Sequence, residues 1–148
     1  MDYVLILEDR QIAPDIHIPE KSIWPNIDEQ AIGQVVRNLI DNAIQYGGEG
    51  RYLGVYLTET PDVVQLSVRD RGKGIPAEEQ RNIFERFYRL DKGRKSDGMG
   101  VGLSIAHEII KLHDGRIFLE SEPFVSTAFT IELPRAAIVH MRLIGDRI

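Results

Sequence analysis

The chain has 148 residues, 43% hydrophobic and 28% charged, which is typical of one globular domain with a single core. Its formal net charge of −5 argues against a general nucleic-acid binder, and the absence of cysteine excludes disulfides, thiolate metal ligands and a cysteine nucleophile. No apolar run approaches the roughly 20 residues of a membrane span and no signal peptide opens the chain, so we expect a soluble piece without membrane contact.

The first third of the sequence predicts two short strands and one long helix. The apolar run Tyr3–Leu7 predicts the first strand, and a weaker alternation over Ile12–Ile18 predicts the second. A helical period extends over Asn26–Tyr46, and Asn26 together with Glu29 resembles a capping box. The glycine-rich residues 47–50 end this helix and turn the chain.

The remaining elements alternate between strands and helices up to Pro134. In chain order they are strands at 53–57 and 64–68 joined by a turn at 60–62, a glycine loop at 70–76, a helix at 78–90, a basic loop at 91–100, a helix at 101–113 stopped by Gly115, and strands at 117–119 and 129–133. Two hairpins without a βαβ rhythm predict an α+β fold, with one mixed sheet and helices on a single face. We expect one domain over 1–134, and the tail 135–148 stays unassigned.

A stripe of neutral amides marks the long helix. Asn38, Asn42 and Gln45 are spaced i, i+4 and i+7, so they share one helix face. Amide oxygens suit Mg²⁺, which takes one or two protein oxygens while phosphates and waters complete its shell. A solvated polar face, with Arg37 and Asp41 as an ion pair, is the alternative, and the stripe taken alone favours it.

The stretch SVRDRGKGIP ends a strand in a glycine loop. Asp70 has the parity of the apolar residues before it, so its carboxylate should face the core and require a donor. An adenine amino group is one candidate donor, and Gly72 and Gly74 would let the backbone approach a flat ring. A self-capping turn explains the same residues equally well, so both readings stay open.

The stretch GMGVGLSIA places three glycines before a helix. Backbone amides of Gly98, Gly100 and Gly102 at a helix start favour phosphate. The pattern is neither a Walker motif nor a clean dinucleotide fingerprint. A flexible hinge is the alternative.

The stretch IFERFYRLDKGRK concentrates positive charge in an acidic protein. Its cations suit a polyanion, although a solvated helix end is the usual reading of surface charge; they are Arg86, Arg89, Lys92, Arg94 and Lys95. The aromatic residues Phe84, Phe87 and Tyr88 are more often core residues than a cofactor box.

The order of the four motifs resembles the catalytic, ATP-binding domain of two-component sensor histidine kinases. The matching stretches are NLIDNAIQYG, DRGKGIP, IFERFYR and GMGVGLSIA, and the resemblance covers residues 28–134. It implies the Bergerat fold, an α/β sandwich whose single sheet is mixed and mostly antiparallel, with helices on one face. It also implies ATP and Mg²⁺ as cofactors, held under a mobile lid over 75–100.

The resemblance assigns roles to individual residues. Asn42 matches the Mg²⁺ ligand and Asn38 a second contact to metal or phosphate. Tyr46 matches the aromatic beside adenine, and Asp70 the acceptor of the adenine amino group. The full set assigned to ATP is Asn38, Asn42, Gln45, Tyr46, Asp70, Gly72, Gly74, Ile75, Phe84, Arg89, Gly98, Gly100, Val101, Gly102 and Leu103.

Two positions separate this chain from its implied relatives. ATP-hydrolysing members of the superfamily carry a glutamate, which activates water, where Asn38 stands, and an amide cannot act as a general base. Many sensor kinases carry a lysine at the position of Gln45, so Arg89 or the basic residues 92–95 would have to supply that charge.

The resemblance also implies what lies outside this chain. Such kinases phosphorylate a histidine in a motif like His-Glu-Leu-Arg-Thr-Pro on a helical dimerisation domain, and this chain has no such motif. We expect its histidines, His17, His107, His113 and His140, to be structural or surface residues, and we assign no catalytic residue.

The implied partners are therefore ATP, the phosphoacceptor domain and, indirectly, a response regulator. We expect a monomeric fragment from the cytoplasmic part of a membrane-bound sensor. An ATP-sensing or docking module without transfer activity, or a serine kinase or ATPase of the same superfamily, is the alternative.

Overall fold

The computed structural model describes residues 3–19, 28–85 and 102–135. Their elements are α1 (Tyr3–Asp9), β1 (Ala13–His17), α2 (Glu29–Gly47), a 3-10 turn (Gly48–Gly50), β2 (Tyr52–Glu59), β3 (Val63–Asp70), α3 (Ala77–Gln80), α4 (Gly102–Leu112), β4 (Arg116–Glu122) and β5 (Ser126–Pro134).

The strands form one five-stranded sheet in the order β1-β2-β3-β5-β4. Among the described strands only the β1–β2 pair is parallel, and the two predicted hairpins, β2–β3 and β4–β5, are both present. The α+β prediction of a mixed, mostly antiparallel sheet is confirmed. The register places Asp70 between Leu53 of β2 and Thr127 of β5, at the end of the central strand.

One face of the sheet packs against α2 and α4 to form the core. Val35 and Leu39 of α2 and Ala106 and Ile110 of α4 are fully buried. Because strand side chains alternate between faces, the apolar residues of β3 that precede Asp70 point to these helices, and Asp70 follows their parity. Burying a side chain such as Leu39 contributes about 1.5 to 3 kcal/mol to folding, which fixes the face that α2 turns to the sheet.

The N-terminal segment corrects one prediction, because Tyr3–Leu7 is helical and belongs to α1. Tyr3, Ile6 and Leu7 contact the core while Val4 and Leu5 are exposed, so the apolar run follows helical spacing instead of alternation. The Tyr3 hydroxyl donates to Asp41 Oδ1 at 3.0 Å, which holds α1 on α2. The second predicted strand is confirmed as β1.

The start of α2 corrects a second prediction. The N-cap is Asp28, whose Oδ1 accepts hydrogen bonds from the backbone amides of Gln30 and Ala31, both at 3.1 Å. Asn26, the predicted cap, lies outside the described residues. The helix ends at Gly47, as the glycine run predicts.

The helix predicted over 78–90 is also different. Within the described residues α3 is a single turn, Ala77–Gln80, followed by turns at 81–85. Successive i to i+3 bonds, Asn82 N to Glu79 O and Glu85 N to Asn82 O, replace the expected α-helical pattern. The predicted basic loop 91–100 lies outside the described residues, and the predicted helix 101–113 is present as α4.

Candidate functional site

A cavity of about 350 Å³ lies where α2, the loop after β3, the start of α4 and the β4–β5 turn meet. Its walls are mostly apolar, with a few polar groups. The lining residues are Asn42, Tyr46, Asp70, Lys73, Gly74, Ile75, Pro76, Glu79, Leu103, Pro123, Phe124, Thr127 and Phe129. Three separate predicted motifs, the amide stripe, the Asp70 loop and the start of α4, therefore meet at one concave site.

Asp70 lies at the floor of this cavity, only 6% exposed. Its Oδ1 accepts the backbone N–H of Gly72 at 3.0 Å, and that is its one hydrogen bond within the described residues. Burial raises the pKa of this carboxyl, the Gly72 N–H opposes the rise, and Glu49 adds to it. A buried carboxylate with free acceptor capacity is suited to a ligand that brings an N–H donor.

The C-terminal end of α2 approaches this carboxylate so closely that only glycine fits. A Cβ on Gly47 would lie 2.1 Å from Asp70 Cγ, and a Cβ on Gly72 would lie 2.6 Å from Gly47 Cα. The sequence indicated Gly47 only as a helix stop. Its second role depends on a contact between α2 and the end of β3, which no local pattern reveals.

The glycine loop after Asp70 is fixed by the neighbouring hairpin. Gly74 has a φ of 82°, in the left-handed region that favours glycine. The next amide, Ile75 N–H, donates to Ser121 Oγ at 3.0 Å, and that hydroxyl is 2.9 Å from Thr127 Oγ1. Sequence reasoning missed Ser121 and Thr127, although Thr127 has the inward parity of Phe129 on β5.

The amide stripe divides into three environments. Asn42 is half-buried, lines the cavity beside Tyr46, and its side-chain amide makes no hydrogen bond within the described part of the chain. Asn38 Nδ2 donates to the Gly102 carbonyl at 3.1 Å, which joins α2 to the first residue of α4. Gln45 is exposed and does not line the cavity.

The other residues that the resemblance assigned to ATP differ in their position relative to the cavity. Leu103 lines the cavity, as does Phe129. Phe84 does not line it, and instead packs edge-on against Phe129 at 6.2 Å between ring centroids and stacks on His107. The predicted contacts Arg89, Gly98, Gly100 and Val101 lie outside the described residues, as does most of the predicted lid.

The described histidines have structural contacts. His17 pairs with Asp15 at 2.6 Å and stacks on Tyr56. His113 lies next to the start of α2, where its Nε2 accepts the Asp28 backbone N–H at 3.2 Å. None of the described histidines lines the cavity, and His140 lies outside the described residues.

The donor set fits a hard cation that arrives with phosphates. Among the described residues no three His, Cys, Asp or Glu side chains form a group able to hold a metal by themselves. Asn42 lines the cavity and its side-chain amide makes no hydrogen bond within the described residues, and the described hydrogen bond of the Asn38 side chain uses its Nδ2 and not its amide oxygen. One or two such oxygens are what Mg²⁺ takes from a protein when phosphates and waters fill the rest of its shell.

Comparisons with known proteins find similarity over most of this chain. The family described as histidine kinase-, DNA gyrase B-, and HSP90-like ATPase matches residues 27–137. Sensor histidine kinase YcbM of Bacillus subtilis (strain 168) is 34% identical over 137 residues, covering 91% of this chain and 44% of YcbM. Sensor histidine kinase WalK of the same organism is 37% identical over 122 residues, covering 80% of this chain and 20% of WalK.

Solved structures show the same fold. The catalytic domain of histidine kinase ThkA has a TM-score of 0.77 at 29% identity, covering 90% of this chain and 88% of that one. The mycobacterial sensor histidine kinase MprB has a TM-score of 0.72 at 27% identity, covering 90% and 96%.

The fold is a mixed sheet with helices on one face and a cavity at the end of its central strand. The chain belongs to the histidine kinase-, DNA gyrase B- and HSP90-like ATPase family, as an ATP-binding catalytic domain of the histidine kinase type. It spans less than half the length of the curated relatives YcbM and WalK.

Proposed function

We propose that this domain binds Mg²⁺-ATP in the 350 Å³ cavity and supplies its γ-phosphoryl group to a histidine on a separate helical dimerisation domain. The observation that carries the proposal is the convergence of Asn42, Tyr46, Asp70 and Leu103 on one cavity, although they are up to 61 positions apart in the chain. Helical spacing alone explains Asn42 and Tyr46 but not their meeting with the other two.

Different polar groups of the cavity bind the two ends of the nucleotide. The buried Asp70 carboxylate accepts the adenine amino group, and Tyr46 and Ile75 contact the base. Asn42, with Asn38 beside it, holds Mg²⁺ at the phosphate end. The metal, when bound, neutralises phosphate charge and orients the phosphoryl group for in-line transfer.

Asn38 favours transfer over hydrolysis. An amide has no basic site to take a proton from water, and its Nδ2 is already bonded to the Gly102 carbonyl. The domain therefore holds ATP without activating water, which suits a kinase whose acceptor is another residue. Gly72, Gly74 and Gly102 shape the loops beside the nucleotide, and Arg89, Gly98, Gly100 and Val101 are proposed phosphate-side contacts.

The whole protein is proposed to be a two-component sensor kinase. The phosphoacceptor domain is its direct partner, a response regulator receives the phosphoryl group, and this domain is cytoplasmic and monomeric when isolated. None of the described helices is both long and apolar enough to cross a membrane. The domain is proposed to cover 1–134, with 135–148 as a tail.

Substitution of Asn42 tests the binding site. We expect Asn42→Ala to abolish the Mg²⁺-dependent part of ATP affinity, measured by calorimetry with and without Mg²⁺, and to leave the fold intact because this amide makes no described hydrogen bond. Gln34→Ala is the matched control, since Gln34 is an exposed amide on the same helix. Unchanged Mg²⁺-dependent affinity in Asn42→Ala would show that the metal is held elsewhere.

Phosphotransfer in trans tests the activity. The domain is mixed with labelled ATP and the histidine-bearing helical domain of the full-length protein, and acid-labile label is measured on that partner. Label on the partner histidine supports the kinase. Binding of ATP without any label favours the ATP-sensing module, and steady release of phosphate by the domain alone favours an ATPase.

A further inference from the structure

Phe124 has a backbone conformation that is unfavourable for its side chain. It lies in the turn between β4 and β5, with a φ of 61°, in the left-handed region. The Val125 N–H donates to the Glu122 carbonyl at 3.0 Å, so Pro123 and Phe124 are the two central residues of a β-turn. A proline at the first central position and a positive φ at the second are typical of a type II turn. Glycine or asparagine is favoured at that second position, and a bulky aromatic residue there is an outlier.

The side chain of Phe124 also gains little from the protein itself. It is 82% exposed, so burial in the core does not offset the conformational cost. Residues that adopt a sparsely populated backbone conformation and contribute nothing to the core are often found at functional sites, and the φ of Phe124 is such a conformation. The exposed part of this residue forms one wall of the cavity that holds Asp70.

The turn is fixed to the loop that follows Asp70. The Phe124 N–H donates to the Lys73 carbonyl at 3.1 Å, and a Cβ on Gly74 would lie 2.9 Å from Pro123 Cα. The loop is held on its other side, where the Lys73 N–H donates to Glu49 Oε1 at 3.2 Å. Phe124 is therefore held in a defined position relative to the Asp70 carboxylate, and it does not sit on an independent loop.

We propose that Phe124 is a nucleotide-binding residue whose ring contacts the face of the base, opposite the wall formed by α2. The inference rests on the proposed nucleotide site. A base that donates to Asp70 lies in the cavity that Phe124 lines, and an aromatic ring stacks well on the flat face of a base. The ring then loses its solvent exposure on binding, and the left-handed backbone is the conformation that directs it to the cavity.

Replacing Phe124 with glycine separates this role from a structural one. Glycine removes the ring and suits the positive φ, so Phe124→Gly should keep or raise the thermal midpoint of unfolding while weakening ATP about tenfold, in the range of one base–aromatic stack. ADP should lose the same factor, because the ring contacts the base and not the phosphates. Both affinities are measured by calorimetry.

Two further variants complete the test. Gln11→Gly is the matched control, since Gln11 is exposed, has a φ of 56° and lies away from the cavity; it should change stability in the same direction without changing affinity. Phe124→Trp should retain affinity and show quenched emission on ATP addition, after subtraction of the wild-type signal from the single native tryptophan.

The possible outcomes separate the inference from the proposed function. If wild type binds ATP and the affinity of Phe124→Gly is within twofold of it, the role of Phe124 is overturned and the proposed function is not. A loss for ATP without a loss for ADP overturns base contact in favour of phosphate contact. Wild type that binds no adenine nucleotide overturns the proposed function and this inference together.

Discussion

Replacing Gly47 with alanine should destabilise the domain, although local helix chemistry predicts the opposite. Gly47 is the last residue of α2 and has a φ of −114°, which alanine adopts without strain. On propensity alone the substitution should stabilise by about 0.5 to 1 kcal/mol. In the folded chain, however, the new Cβ would lie 2.1 Å from Asp70 Cγ and 2.5 Å from Asp70 Cβ.

Such an overlap must be relieved by moving buried groups. Asp70 is 6% exposed at the end of a central strand, and Gly72 is so close that a Cβ added to it would lie 2.6 Å from Gly47 Cα. Overpacking of this kind costs about 1 to 3 kcal/mol, so the net destabilisation is about 0 to 2.5 kcal/mol and centres near 1 kcal/mol. For a chain of this size, a loss of about 1 kcal/mol lowers the thermal midpoint by about 2 to 4 °C. Displacing the carboxylate should also lower the affinity for ATP by about 10-fold or more, since a hydrogen bond to a charged group contributes about 1.5 to 3 kcal/mol.

The neighbouring glycine gives a matched control. Gly48 has a helical φ of −63°, and its added Cβ would meet only Ile12 Cδ1, at an ordinary 3.4 Å. Gly48→Ala should therefore raise or preserve the thermal midpoint and leave ATP binding unchanged. Thermal unfolding and calorimetry are measured on both variants. A Gly47→Ala domain as stable as Gly48→Ala, with wild-type affinity, would refute the close approach of α2 to Asp70.

Two further substitutions test the polar groups of the site. Asp70→Asn should weaken ATP binding about 10- to 100-fold and GTP binding much less. The fold should be no less stable, because a buried charge is removed and the acceptor for the Gly72 N–H is kept. Equal losses of affinity for both nucleotides would contradict adenine recognition. Burial raises the pKa of Asp70, so the folded chain binds a proton at this carboxyl more tightly than the unfolded chain does. The free energy of unfolding of wild type should therefore rise relative to that of Asp70→Asn as the pH falls from the raised pKa through the ordinary 3.8. Urea titrations at several pH values measure this difference, and a difference that does not change with pH would show that the carboxyl is not desolvated. Asn38→Asp should destabilise the domain by about 1 to 3 kcal/mol, because a carboxylate cannot donate to the Gly102 carbonyl at 3.1 Å. It should not increase phosphate release in a coupled assay. A variant as stable as wild type would show that this hydrogen bond does not stabilise the fold.

Local patterns were sufficient where one element decides the outcome. Apolar alternation predicted β2, β3 and β5, the glycine run predicted the end of α2, and the parity of β3 predicted that Asp70 faces the core. The same reasoning failed at α1, where a five-residue apolar run suits a strand or a helix equally. The surface of α2 selected the helix, because Tyr3, Ile6 and Leu7 contact the core from one face.

The order of the motifs determined the family and most of the candidate site, because spacing along a helix and parity along a strand are encoded in consecutive residues. Contacts between distant segments were decided only by the tertiary structure. The closeness of Gly47 to Asp70 and the bond from Asn38 to Gly102 join residues at least 23 positions apart, and the position of Phe124 beside the cavity depends on a backbone angle. A stripe of amides on a helix is chemically ambiguous until the fold shows which of them faces the cavity: Asn42 does, Asn38 joins two helices, and Gln45 faces solvent.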